Sequence, residues 1–229
     1  MKKIIAITFL FFLASNVVFA QMDESIKPKS FEPVYSSMKV SELILPAFDN
    51  AEAAHLDLND AKNGKLPLFS RNIKCNINLG NNDFTAIPAA NGKGWIKQKQ
   101  ITSKGALGLV VLFDMLYLPE GATLHVYSPD KKQVLGAFTH TNTPLPIAFN
   151  AGIIAGESCI VEYYEPMNQL GKGTLAITEI GHAYRWVKDI EDITGVNASG
   201  SCEVNVACSE ADNWQNQKRA VARILVVAN

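Results

Sequence analysis

The 229-residue chain is short of the residues that build reactive centres, and neither sign of charge dominates it. Lysine and arginine number 21 against 22 aspartates and glutamates, with no basic stripe, so nucleic acid is not an expected partner. The histidines are His55, His125, His140 and His182. His125 and His140 fall on neighbouring expected strands, but two histidines without a closing Cys, Asp or Glu do not make a zinc site, and no metal or cofactor is expected. There is no G-x-S-x-G elbow and no complete P-loop; Gly171-Lys172-Gly173-Thr174 lacks the upstream glycine and reads as a turn. Long apolar runs are missing too, apart from one at the N-terminus, so no membrane association is expected once that run is removed.

That first run has the form of an export signal. Lys2 and Lys3 precede an apolar stretch from Ile4 to Leu13, and Val18-Phe19-Ala20 supplies small residues before a cleavage expected between Ala20 and Gln21. Residues 1–20 are therefore read as a signal peptide of bacterial type, and the rest as secreted or periplasmic, where disulfides are permitted. Removing Lys2 and Lys3 leaves 19 basic side chains against 22 acidic ones, so the exported part carries a net charge of −3.

Residues 21–65 read as a lead-in: 21–37 polar, poorly ordered and proline-bearing, 51–65 rich in helix formers but without a strong apolar face. Residues 66–78 suit a strand with Ile73, Cys75 and Ile77 alternating inward. After the turn signal Asn91-Gly92-Lys93-Gly94, short strands are expected near 95–101, 107–113, 122–127, 133–140, 158–165 and 174–185. This spacing predicts an all-β fold over 66–190, an antiparallel β-sandwich or jelly roll. Within it, Glu162 is expected to face outward and Glu165 to be the polar end of its strand before Pro166. Tyr163, Tyr164, Tyr184 and Trp186 suit core packing better than a carbohydrate-stacking platform. His182 is expected to be structural, the alternative being a contact with whatever follows the sandwich.

The tail, Ser199 to Asn229, holds two of the four cysteines and closes on the apolar run Ala220 to Val227. Written as a strand, Cys202, Val204, Val206 and Cys208 share one face. Six extended residues span roughly 20 Å, whereas a disulfide holds its Cα atoms about 5.5 Å apart. Cys202 and Cys208 should therefore not bond each other. The four thiols could all be free, these two could pair with Cys75 and Cys159, or their partners could lie beyond Asn229. If 202–208 and 220–227 are strands, they have no partner strands after them, and the tail is expected to open a domain whose body is missing.

The pattern S-G-S-C-x-V-x-V-x-C, followed by a polar stretch with Trp214 and then Q-x-Q-K-R-A-V-A-R-I, resembles the start of the mature protease in bacterial lysyl endopeptidases, secreted serine proteases of the trypsin-like double-barrel type. Upstream, the cadence W-x-x-x-x-x-I-x-S-x-G-A-x-G-L-x-V-x-F-D, L-P-x-G-A-x-L-x-V-Y, G-E-x-C-x-V-E-Y-Y-E-P and I-G-H-A-Y-R is similar to the β-sandwich pro-regions ahead of such proteases. The resemblance implies a sandwich pro-region over 66–190, a linker and processing region over 191–200, and an incomplete start of a trypsin-like β-barrel over 201–229. It implies disulfides from Cys202 and Cys208 to cysteines far along the catalytic domain, and cleavage between Thr194 and Gly195, although no lysine precedes Gly195 and Asn197-Ala198 is an insertion. The implied partners are the chain's own downstream protease domain and, for a full-length enzyme, protein substrates. The triad contexts of that family, T-A-x-H-C and G-D-S-G-G, do not occur here, so no catalytic residue is assigned and the 229 residues alone are expected to be an inactive zymogen part. The alternative is a stand-alone secreted β-sandwich module that binds glycans or proteins.

Overall fold

A computed structural model of the chain describes residues 25–63, 65, 68–186 and 213. The signal peptide with Ala20 and Gln21, the linker with Thr194 and Gly195, and the tail with Cys202 and Cys208 lie outside the described residues. What is described is an all-β sandwich with one helix. The elements in chain order are β1 (Glu42–Ile44), α1 (Asn50–Lys62), β2 (Ser70–Asn78), β3 (Thr85–Pro88), β4 (Gly94–Thr102), β5 (Gly108–Tyr117), β6 (Thr123–Tyr127), β7 (Val134–Phe138), β8 (Ile147–Ala155), β9 (Ser158–Pro166) and β10 (Thr174–Ala183).

Sheet A runs β1-β4-β9-β6-β7, with β3 on the same edge of β4 as β1; sheet B runs β2-β10-β5-β8. All pairings are antiparallel except β1 with β4. The core forms where the inward rows of both sheets meet: Leu109, Val111, Phe113 and Leu116 of β5 face Leu124 and Val126 of β6 and Cys159, Val161 and Tyr163 of β9. Ile73, Cys75 and Ile77 alternate inward along β2 as their spacing requires. Turn chemistry punctuates the strands. Between β5 and β6, Ala122 N–H closes onto Pro119 O, and Gly121 supplies the positive φ of 79° that such a turn needs.

The stretch expected to be a lead-in is built into the sandwich. β1 extends sheet A, residues 26–35 lie across its outer face, and α1 packs at one end. The Asp49 carboxylate caps α1 by accepting from Ala51 N–H and Glu52 N–H, both at 2.9 Å. With little apolar face of its own, the helix is anchored by polar contacts of Asp57. The contact with Arg185 joins residues 128 positions apart, so no local pattern announces it.

Candidate functional site

The buried polar clusters of this sandwich differ in what they can do. The first lies on the outer face of sheet A. Register places Gln98 of β4, Glu162 of β9 and His125 of β6 side by side across the strands, with Tyr127 of β6 in the next outward row. Residues 26–31 lie over them. Ser30 N–H donates to Glu162 Oε1 at 3.3 Å, and the Ser30 hydroxyl reaches Glu162 Oε2 in a short bond and Tyr127 Oη at 2.9 Å. Gln98 Nε2 donates to Tyr127 Oη at 2.6 Å and to Glu162 Oε2 at 2.9 Å, and Tyr127 donates to the same carboxylate oxygen at 3.1 Å. His125 Nε2–H donates to Ile26 O at 3.0 Å, which leaves Nδ1 as an acceptor. Around this network the Lys29 ammonium sits 5.5 Å from the Tyr164 ring centre, and Phe31 stands edge-on to Tyr127 at 5.1 Å. Burial pushes the Tyr127 hydroxyl up, with Glu162 adding to the shift; burial also holds His125 below its ordinary value.

Glu162 corrects an expectation. It points away from the core, as alternation requires, yet it is only 1 % exposed because residues 26–31 cover it. Glu165 is likewise no solvated strand end: it is fully buried, accepts from Tyr163 Oη at 2.9 Å and Gly173 N–H at 3.2 Å, and pairs with Lys97 Nζ at 3.3 Å. A Cβ on Gly173 would sit 1.9 Å from Tyr163 Oη, so the turn that superficially looked like a P-loop fragment is shaped around this contact.

The second cluster is a relay of Ser103, His182 and Asn50. Asn50 Nδ2 donates to Gly105 O at 2.7 Å, so its Oδ1 accepts the proton of His182 Nε2 at 2.8 Å. His182 Nδ1 is then the acceptor for the Ser103 hydroxyl at 2.7 Å. Assigned from the network in this way, the proton positions match those of an activated serine. Ser103 and His182 are both 0 % exposed, however, so no substrate carbonyl reaches the oxygen. The relay is a clamp joining the β4–β5 turn, β10 and the start of α1, with Phe48 tilted against the imidazole at 4.2 Å. Burial lowers the basicity of His182.

The third cluster surrounds Asp57 of α1. Arg71 Nη2 meets Oδ1 at 2.6 Å, Arg185 Nη2 meets Oδ2 at 2.7 Å, and the Tyr184 hydroxyl donates to Oδ2. Tyr184 and Arg185 follow directly after β10, so this lock fixes the chain just beyond that strand to α1.

Tyr163, Tyr164 and Tyr184 are buried and form no exposed aromatic platform. His140 is exposed and His125 buried, and among the described residues no group of three or more His, Cys, Asp or Glu side chains could hold a metal ion. No described helix is long and apolar enough to cross a membrane. Cys75 and Cys159 are free thiols. Cys159 lies in the core, where burial pushes its thiol up to about 12, and Cys75 is half-buried, pushed up to about 11 by burial and then by Glu179.

No family model matches the chain. Among solved structures, the C-terminal CBM6 of LamC, a marine laminarinase from Zobellia galactanivorans, aligns at 14 % identity over 48 % of this chain and 98 % of its own length, with a TM-score of 0.27. A superposition that loose defines neither a common site nor a common ligand.

Proposed function

We propose that this sandwich is the exported pro-region of a trypsin-like serine endopeptidase of the lysyl endopeptidase kind, whose catalytic domain starts near Gly195. One observation carries the choice over a stand-alone module. A module that used its cysteines internally would tie Cys202 and Cys208 to Cys75 and Cys159, and Cys159 is buried inside the core with its thiol held protonated. Partners on a following catalytic domain suit Cys202 and Cys208 better. The Asp57 lock fits the same reading, because it fastens the end of β10 to the sandwich independently of anything that follows. In this role a preformed β surface holds the first strands of a slow-folding barrel while the enzyme stays inactive.

Thiol labelling and peptide mapping of the exported, non-reduced chain test this. Cys75 and Cys159 should be recovered as free thiols after unfolding. A peptide joining Cys202 or Cys208 to Cys159 would overturn the reading in favour of the binding module, for which the covered Glu162 face is the one favouring observation.

A further inference from the structure

The outer face of sheet A has features that a purely structural strap does not require. The Glu162 carboxylate is buried beneath residues 26–31, and among the described residues no lysine or arginine forms a salt bridge with it. Its hydrogen-bond donors are all neutral: a backbone N–H, two hydroxyls and an amide. Two further acceptors, Gln98 Oε1 and His125 Nδ1, are buried beside it and have no partner among the described residues. Burying a carboxylate without a salt bridge and two unsatisfied acceptors costs the fold stability, and apolar residues would have fastened the segment at lower cost.

The segment makes a single 3-10 turn over Lys29–Phe31, and through it the face engages main-chain groups and side chains alike, as in peptide recognition. A main-chain carbonyl, Ile26 O, is held by His125 and a main-chain N–H, that of Ser30, by Glu162. A hydroxyl is bound between Glu162 and Tyr127, with a cation over Tyr164 before it and a ring against Tyr127 after it.

We propose that this face is a peptide-recognition site and that residues 26–31 fill it as a tethered occupant, keeping it shut. Its outside ligand is a peptide that makes the same short 3-10 turn, with a serine or threonine hydroxyl between a basic and an aromatic side chain. A peptide that also offers N–H or O–H groups to Gln98 Oε1 and His125 Nδ1 gains two hydrogen bonds that the chain's own segment lacks, and displaces it. This goes beyond the pro-region assignment and does not depend on it, since the disulfide map and the peptide experiment can fail separately.

The test cuts the tether without removing the segment. A specific-protease site is inserted between Met38 and Lys39 of the full chain, the folded protein is nicked, and a fluorescent peptide with the sequence of residues 25–38 is added. The labelled peptide should exchange in with saturable binding. Ser30→Ala in the peptide should weaken uptake by about tenfold or more, as expected for loss of a charge-assisted hydrogen bond, and Ser30→Thr should restore it. Glu162→Gln in the protein should weaken uptake by a similar factor; if that variant does not fold, the peptide series on the nicked wild-type chain decides. Absence of exchange, uptake indifferent to Ser30→Ala, unfolding on nicking, or displacement by oligosaccharides but not by the peptide would each overturn the proposal.

Discussion

Two buried carboxylates tie the N-terminal part of the chain to the sandwich, and their surroundings are opposite. Asp57 is met by two guanidinium groups and a tyrosine hydroxyl, and the atoms left over in its cluster are donors, Arg71 Nε and Arg185 Nη1. Among the described residues Glu162 is met by neutral hydrogen-bond donors, and the atoms left over near it are acceptors. At Asp57 the desolvation of the carboxylate is offset by opposite charge, as a permanent lock requires. At Glu162 it is not, so that site holds its covering segment with a surplus of acceptor capacity. The difference separates a structural joint from a face able to take another ligand.

The contrast can be broken by mutation. Asp57→Ala should have the largest effect, because it leaves Arg185 buried without a counter-ion; a loss of about 3–5 kcal/mol is expected for removing one partner of a buried pair. Urea unfolding measures it, and a loss below about 1 kcal/mol, the range of a surface pair, would remove the distinction. Ser103→Ala comes next. The relay is neutral, and leaving His182 Nδ1 buried without a donor should cost about 1–3 kcal/mol in the same assay. Glu162→Gln should cost no more than about 1.4 kcal/mol, the equivalent of the tenfold weaker uptake, since it keeps an acceptor for Ser30 and Tyr127. A loss as large as that of Asp57→Ala would show Glu162 to be a structural joint after all.

The smallest effect expected is that of pH. Burial holds both His125 and His182 below the ordinary value of 6.5, so the unfolded chain takes up protons there that the folded chain refuses. Their contribution is therefore fully present above pH 6.5 and is lost as pH falls below it towards the lowered folded values. Unfolding midpoints taken downward from pH 7.5 should fall, and His125→Gln should flatten part of that slope. An unchanged slope in this variant would place the titration elsewhere.

Much of the sandwich was legible because its strands obey local rules. β2, β5, β6, β9 and β10 are marked by alternation or apolar runs bounded by glycine and proline turns. β8 was not marked: its I-A-F-N-A-G-I-I-A neither alternates nor ends at a clear turn, and its pairing with β5 shifts register between Val110 and Leu112 and between Phe113 and Leu116. β1 is three residues long and exists because β4 has a free edge beside it. The polar clusters were illegible for a stronger reason. Alternation puts Glu162 on the face away from Val161, which is correct, but whether that face is wet depends on Ser30, 132 residues away. The Ser103–His182–Asn50 relay likewise joins positions 79 and 132 apart. Single-residue chemistry suggested neither.

The pro-region assignment is tested most directly by the coding sequence beyond codon 229. If this sandwich precedes a serine endopeptidase, a T-A-x-H-C string should follow within a few dozen codons, in frame or after a single frameshift. A stop codon followed by unrelated sequence would contradict the assignment and leave the covered face of sheet A as the functional part of the molecule.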